Sequence, residues 1–280
     1  MSATIVFVHG RSQEGKNPAE LERNWRAGLA AGLVKAGVPP IDTVPSVFPF
    51  YGDLLYRITA ELVRHGGRVD LESLPLHPDL PDDTTATENE ILREMSAAKG
   101  RVDEEGLSDV LSSKLARKAL EFLARRTRVD QEIIKAQVKD VAVYLTKARD
   151  PVLAAVNAAI PADVPIVLVS HSLGTVVARD LLSDHDLRRR TRLWVTAGSP
   201  LGLDAVQRNL LTKGTVNPGV PWLTCWDVND VVAIGHPLRP TWKDPLQEVE
   251  VENSDAPHSI ERYLGHPEVA RAIAAAVKAG

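Results

Sequence analysis

The stretch Ile166-Val167-Leu168-Val169-Ser170-His171-Ser172-Leu173-Gly174-Thr175-Val176-Val177-Ala178 puts a serine where a β-branched apolar run gives way to helical spacing. A strand that turns sharply into a helix holds its corner residue in a strained backbone conformation and presents that side chain above the sheet. Such a corner needs small residues two positions before and two after it, here Ser170 and Gly174. The usual pattern is G-x-S-x-G, so Ser170 departs from it while staying small. A serine hydroxyl attacks poorly until a neutral imidazole takes its proton, and the imidazole needs a carboxylate to hold its tautomer and balance its charge. Ser172 would also stand at a helix N-terminus, where the partial positive charge and the Leu173 N–H favour a neighbouring oxyanion.

A second pattern competes. Gly10-Arg11-Ser12-Gln13-Glu14-Gly15-Lys16-Asn17 fits G-x-x-x-x-G-K after an apolar run, the spacing of a phosphate-binding loop. Nucleoside triphosphatases place Ser or Thr after the lysine to hold magnesium, whereas Asn17-Pro18 reads as a helix start. The run Leu223-Thr224-Cys225-Trp226-Asp227 is only a partial match to the acidic strand end that such enzymes also need. Nucleotide hydrolysis by the Gly10 to Lys16 loop therefore stands as an alternative.

These residues must be held by strands and helices. Thr4 to His9, Ile166 to Ser170, Arg192 to Ala197 and Trp222 to Trp226 are short, nearly continuous apolar runs, as expected of parallel strands covered on both faces. Thr43 to Phe48, despite Pro45, and the alternating Gln247 to Val251 are two further candidates. A helix is expected from Asn17-Pro18 to Ala36, stopped by Gly37, with an apolar stripe of Leu21, Trp25, Leu29 and Leu33. Helical spacing returns at Ile133, Ile134, Val138, Val141 and Leu145, and Pro151 predicts a kink or break. Between them, residues 53 to 128 read as a helical insertion with a Pro/Asp/Thr-rich loop at His77 to Thr87. The fold class is α/β.

Composition narrows the chemistry. Of 280 residues, 33 are basic and 37 acidic, so the net charge of −4 supplies no field for a nucleic-acid backbone. A single cysteine, Cys225, can form neither an internal disulfide nor a thiolate metal cluster, which suits a reducing compartment. The N-terminus has no basic n-region and only a short apolar run, unlike a signal peptide, and no stretch has the length and apolarity of a membrane helix. A cytoplasmic location and no transmembrane segment are expected.

The Ser-His-Ser-Leu-Gly corner, the His9-Gly10 loop after the first strand, and an Asp and a His following in that order resemble the α/β-hydrolase superfamily, in particular its small bacterial esterase- or lipase-like members. The resemblance spans most of the chain. It implies a mostly parallel doubly wound sheet with a helical insertion as a cap, and a serine hydrolase cleaving an ester or related acyl bond without cofactor or metal. By the family's order, Ser172 is the nucleophile, and the acid lies in Asp227-Val228-Asn229-Asp230 after the Trp222 to Trp226 strand. Asp230 is preferred over Asp227, whose other role is to cap a turn. The histidine falls at His258 in Asp255-Ala256-Pro257-His258, with His266 its nearest rival. The oxyanion hole is assigned to the backbone N–H groups of Leu173 and Arg11, with Ser12 the other candidate for the second donor.

Other residues have plainer expected roles. His9 is expected to support its loop, His171 to pack or donate a hydrogen bond, and Cys225 to be inert packing. His65, His77, His185 and His236 read as surface or loop residues. The insertion is either a cap shaping the pocket or a docking surface. Its basic amphipathic stretch Lys114 to Arg126 could pack on the core or rest on an anionic membrane. Tyr51 and Gly52 read as pocket lining, and Asp53 as that or a helix cap. A hydrolase fold serving as a non-catalytic binding module is the remaining alternative.

Overall fold

The computed structural model describes residues 3–11, 13–64, 82–98, 113–127, 130–243 and 245–279. Within them the apolar runs become six strands: β1 (Thr4–Val8), β2 (Ser46–Val47), β3 (Ile166–His171), β4 (Thr191–Ala197), β5 (Trp222–Trp226) and β6 (Leu246–Glu250). They form one sheet in the order β2-β1-β3-β4-β5-β6, and every neighbouring pair is parallel. The helices are α1 (Pro18–Ala36), α2 (Gly52–Arg64), α3 (Asp82–Ala98), α4 (Ser113–Thr127), α5 (Gln131–Val143), α6 (Arg149–Ala159), α7 (Leu173–Leu181), α8 (His185–Arg190), α9 (Asp204–Asn209), α10 (Ile260–Leu264) and α11 (Pro267–Lys278).

The continuous apolar runs are explained by cover on both faces. Side chains of a strand alternate between faces: Ile5, Phe7, Val167, Val169, Val195 and Cys225 share a core with Trp25, Leu29 and Leu33 of α1 and Val269, Ile273 and Val277 of α11. Val6, Val8, Leu168, Trp194 and Trp222 point the other way, into a core built with α5, α6 and α7. The sheet is α/β and compatible with the α/β-hydrolase fold.

Helix α1 begins and ends where its sequence says it should. Asn17 Oδ1 accepts the Ala19 N–H at 2.9 Å, and Gly37 closes the helix in the left-handed region at φ 64°. Strand β2 is shorter than the expected Thr43 to Phe48, because Pro45 offers no N–H and only Ser46 and Val47 pair with β1. At Pro151 the chain does not break. A π-turn over Tyr144–Ala148 precedes α6, so the proline falls in the first turn of a new helix, where its missing N–H leaves no ladder bond unmade.

The described parts of residues 53–128 belong to the same body as the sheet. Leu55, Ile91, Leu92, Met95, Leu120 and Leu123 lie in one core with Val6 and Leu168. Helix α3 starts at Asp82, inside the expected His77 to Thr87 loop, since Asp82 and Asp83 suit a helix N-terminus. His65, His77 and the rest of that loop lie outside the described residues. In α4, Ala119, Leu120 and Leu123 face inward. Among the described residues no helix is long and apolar enough to cross a membrane.

The topology fixes where a site can form. The chain leaves β1 for β2 on one side and reaches β3 on the other, so the connections after β1 and β3 diverge at the carboxyl ends of these adjacent strands. Open parallel sheets bind ligands in the crevice opened by such a switch, and Gly10 and Ser172 both stand there.

Candidate active site

Ser172 joins β3 to α7 with φ 55° and ψ −131°, a conformation L side chains rarely adopt. The corner is held by close approaches that leave no room for side chains. A Cβ on Gly174 would stand 2.2 Å from the Val8 carbonyl oxygen and 2.4 Å from that of His9, so only glycine lets α7 sit against the end of β1. A Cβ on Gly10 would stand 2.7 Å from Ser172 Cβ. The departure at Ser170 has a structural use: its hydroxyl donates to the Val195 carbonyl at 2.8 Å and accepts from Trp194 Nε1 at 3.0 Å, tying β3 to β4.

Ser172, Asp230 and His258 are brought to one strand end. The Ser172 N–H donates to the Ala197 carbonyl at 3.1 Å. The next residue, Gly198, has no side chain to displace the other two, for a Cβ there would stand 2.6 Å from Asp230 Oδ2 and 3.0 Å from His258 Nδ1. His258 Nδ1 lies 2.8 Å from Asp230 Oδ2. With that carboxylate as acceptor, Nδ1 carries the proton and Nε2 is the nitrogen left to accept one. Asp230 also accepts the Tyr263 hydroxyl on Oδ2 at 2.8 Å and the Val232 N–H on Oδ1 at 2.9 Å. Burial pushes its carboxyl up, but His258, Tyr263 and the Val232 N–H outweigh this and hold it below the usual carboxylate range. Asp230 is therefore a buried, ionised partner of His258 Nδ1.

Its rivals are engaged elsewhere. Asp227 Oδ1 accepts the Asn229 N–H at 2.7 Å and Oδ2 the Asn253 N–H at 2.6 Å, so this carboxylate shapes the loop that carries Asp230. His266 Nε2 pairs with Asn253 Oδ1 at 3.0 Å.

The loop after β1 is clamped by aromatic residues. His9 is buried, with Nδ1 donating to the Gly10 carbonyl at 2.6 Å and Nε2 accepting the Tyr51 N–H at 3.1 Å. Two such partners fit only the neutral ring, and burial lowers its pKa to about 4. Tyr51 stacks on it at 4.0 Å between centroids and donates its hydroxyl to the His9 carbonyl. Leu173 opens α7, so its N–H is among those a helix leaves without an intrahelical partner. Arg11 follows Gly10 beside Ser172, and its side chain is drawn away to Asp140 Oδ2 of α5 at 3.0 Å. Ser12 lies outside the described residues.

The phosphate-loop pattern folds differently from its spacing. The Gly15 N–H donates to Asp53 Oδ1 at 2.8 Å, and the first amides of α1 are taken by Asn17. A carboxylate and an amide oxygen thus occupy groups that a phosphate would need, and Lys16 is exposed. Asp53 serves as a loop acceptor.

His171 is the inner neighbour of His258, with ring centroids 4.5 Å apart. Burial, then the charge of His258, keeps its pKa well below the ordinary histidine value. Its Nε2 is buried without a hydrogen-bond partner. Cys225 is buried, its Sγ 3.5 Å from the Thr196 carbonyl, and burial raises its pKa. His185 is exposed, but His236 is half-buried between Thr224 and the Ala233 carbonyl and stacks on Trp226, so it is a packed loop residue. Among the described residues no group of three His, Cys, Asp or Glu is arranged to hold a metal ion.

Sequence reasoning assigned no role to Tyr263 or Gly198. Gly198 directly follows the expected Arg192 to Ala197 strand, and nothing in its neighbours marks it as the residue beside Asp230 and His258. Tyr263 lies five residues after His258, and nothing local marks its hydroxyl as a partner of Asp230. No protein-family model matches the chain, and no curated protein matches it.

Proposed function

We propose that this protein is a serine hydrolase of the α/β-hydrolase type, cleaving an ester or related acyl bond through an acyl-enzyme. The observation that carries the reading is the Asp230–His258 pair, 2.8 Å apart, set at the same strand end as a serine in a strained strand-to-helix corner. In this reading His258 Nε2 takes the Ser172 proton as Oγ attacks the acyl carbon. Asp230 keeps Nδ1 protonated and balances the imidazolium charge. The oxyanion of the tetrahedral intermediate is held by the Leu173 and Arg11 N–H groups, each such donor contributing about 3 kcal/mol to transition-state stabilisation. His258 then protonates the leaving group. A water, deprotonated by His258, releases the acid and restores Ser172.

Esterase- or lipase-like activity is the expected form, with thioester and amide bonds as related substrates. A second reading has one observation in its favour. Ser172 is only 2 % exposed, as would suit a hydrolase fold used as a binding module. Fluorophosphonate labelling of the folded chain separates the two. An adduct on Ser172, lost in Ser172→Ala and accompanied by turnover of a p-nitrophenyl ester, is the expected result. No adduct and no turnover would overturn the hydrolase reading.

A further inference from the structure

The end of the sheet remote from Ser172 carries a cavity of about 400 Å³ lined by His185, Arg188, Arg189, Thr191 and the loop Pro218 to Pro221. Thr191 opens β4 and Pro221 precedes β5, so the cavity lies at the amino ends of strands whose carboxyl ends face the nucleophile. A seven-residue strand spans about 20 Å, which separates the two places. Its volume falls in the range of about 300–1,000 Å³ found for small-molecule sites.

The charges around it are unevenly used. Of the three consecutive arginines in α8, Arg190 donates Nη1 to the Pro161 and Val164 carbonyls at 2.9 and 2.8 Å and belongs to the fold. Arg189 meets Asp186 through Nη2 at 3.1 Å, on an exposed pair worth little in water. Arg188 is half-buried and has no carboxylate partner among the described residues.

The chain leading into the lining loop is held by another guanidinium. Arg179 of α7 is 1 % exposed, and it donates Nη2 to the Val216 carbonyl at 2.8 Å, two residues before the lining loop begins. Its Nε is buried without a partner. The adjacent Asp180 is already occupied by Tyr144, Arg149 and the Leu211 N–H. Burial opposes the Arg179 charge most, Asp180 then favours it, and Arg188 adds a weaker repulsion. Arg188, without a carboxylate partner among the described residues, and Arg189, with only an exposed one, are stabilised by a ligand that brings negative charge into the cavity.

The lining also says which anion. The Gly219 N–H is taken by Asn217 Oδ1 at 2.8 Å, and the Thr191 hydroxyl donates to the Leu187 carbonyl at 2.8 Å, so recognition falls to the guanidinium groups. Planar forks pair best with tetrahedral or planar oxyanions of more than one oxygen, and a doubly charged group suits two arginines. We infer that this cavity binds the phosphoryl group of a small molecule, with Arg188 and Arg189 as the contacting residues. The inference does not depend on the reading of Ser172.

The test is calorimetric titration of the full chain at low ionic strength with inorganic phosphate and, separately, glycerol 3-phosphate, each against sodium chloride at matched ionic strength. Saturable one-site binding is expected, weakened about tenfold in Arg188→Gln by loss of one charge-assisted pair and unchanged in Ser172→Ala. Preference for glycerol 3-phosphate would assign the volume beyond the phosphoryl group to an organic part, and equal binding would assign the site to phosphate itself. Arg189→Gln, at an exposed position, provides a second variant should Arg188→Gln fold poorly, and it too should weaken binding. No binding of either anion, or binding that survives both substitutions, would overturn the proposal, whatever the result of the fluorophosphonate experiment.

Discussion

The Tyr263 hydroxyl donates to Asp230 Oδ2 at 2.8 Å, the oxygen that also pairs with His258 Nδ1. The same hydroxyl accepts the Asp227 N–H at 3.0 Å, so one phenol joins the acid to the strand end that carries it. Tyr263→Phe keeps the ring and removes this bridge, leaving a buried N–H without a partner. We expect a stability loss of about 1–3 kcal/mol in urea denaturation. Under the hydrolase reading, kcat on a p-nitrophenyl ester should fall on the order of tenfold, the effect of losing one hydrogen bond to the charged acid.

The two neighbouring carboxylates should separate cleanly. Asp230→Asn can keep an oxygen toward His258 Nδ1 and the Tyr263 hydroxyl only by turning its amide NH2 against the Val232 N–H, and kcat should drop on the order of 10³–10⁴. Asp227→Asn retains one oxygen acceptor, and the Asp227 carboxylate bonds to the Asn229 and Asn253 N–H groups, away from His258 and Ser172. It should keep activity within about threefold and lose about 1 kcal/mol of stability. Steady-state kinetics on both variants, with stability measured beside them, checks this. Activity lost with Asp227→Asn and kept with Asp230→Asn would reverse the assignment.

The parts of this site that could be read from the sequence are those with local signals. The strand–Ser172–helix corner and the Asn17 and Gly37 ends of α1 each lie within a few residues and follow from backbone sterics or capping, whereas the Asp-before-His order, 28 residues apart, is what the family resemblance implies. Asp230 and Asp227 differ by their surroundings instead: Asp227 is consumed by Asn229 and Asn253, the latter 26 residues away. The Tyr51 clamp on His9 spans 42 residues, and the Glu94 carboxylate that accepts the Ala205 N–H spans 111. Such pairs are set by how the helices stack, and no periodicity in either segment announces them. The same holds for α3. The insertion at 53–128 reads as helical, but the place of Ile91, Leu92 and Met95 in the core beside β1 and β3 depends on packing across the whole face.

Acid should weaken the fold from inside the His9 clamp. Burial lowers the His9 pKa from its ordinary 6.5 to about 4, so between these values the unfolded chain binds a proton that the native ring refuses. Stability therefore falls as pH drops from 6.5 and levels off below about 4, with this one group accounting for about 3 kcal/mol. His171 and His236 are shifted in the same direction and steepen the slope. Asp230 adds to it at lower pH. Its carboxyl is held below the usual range, so its contribution is present above the unfolded value and is lost as pH falls through the native one. Urea denaturation at a series of pH values should show the slope, and His9→Asn should flatten it by about 1.4 kcal/mol per pH unit. An unchanged slope would mean that His9 is not held neutral.

His171 presents a sharper choice, between its ring and its nitrogen. The ring lies 4.5 Å from that of His258 and 6.2 Å from Trp25, so it packs between them. Its Nε2 is buried and unpartnered, and a polar atom in that state costs stability. If the ring is what matters, His171→Phe preserves the packing and removes the unpaired nitrogen. Stability should stay level or rise, and kcat should stay within about threefold. His171→Ala empties the space instead. It should cost about 2–4 kcal/mol, and the freed His258 ring should lower kcat on the order of 10², the penalty of a displacement of about 1 Å in a catalytic group. Because neither change removes a group proposed to touch substrate, KM should move less than kcat in both. Equal losses of kcat in the Phe and Ala variants would assign the role to the imidazole nitrogen and reject the packing account.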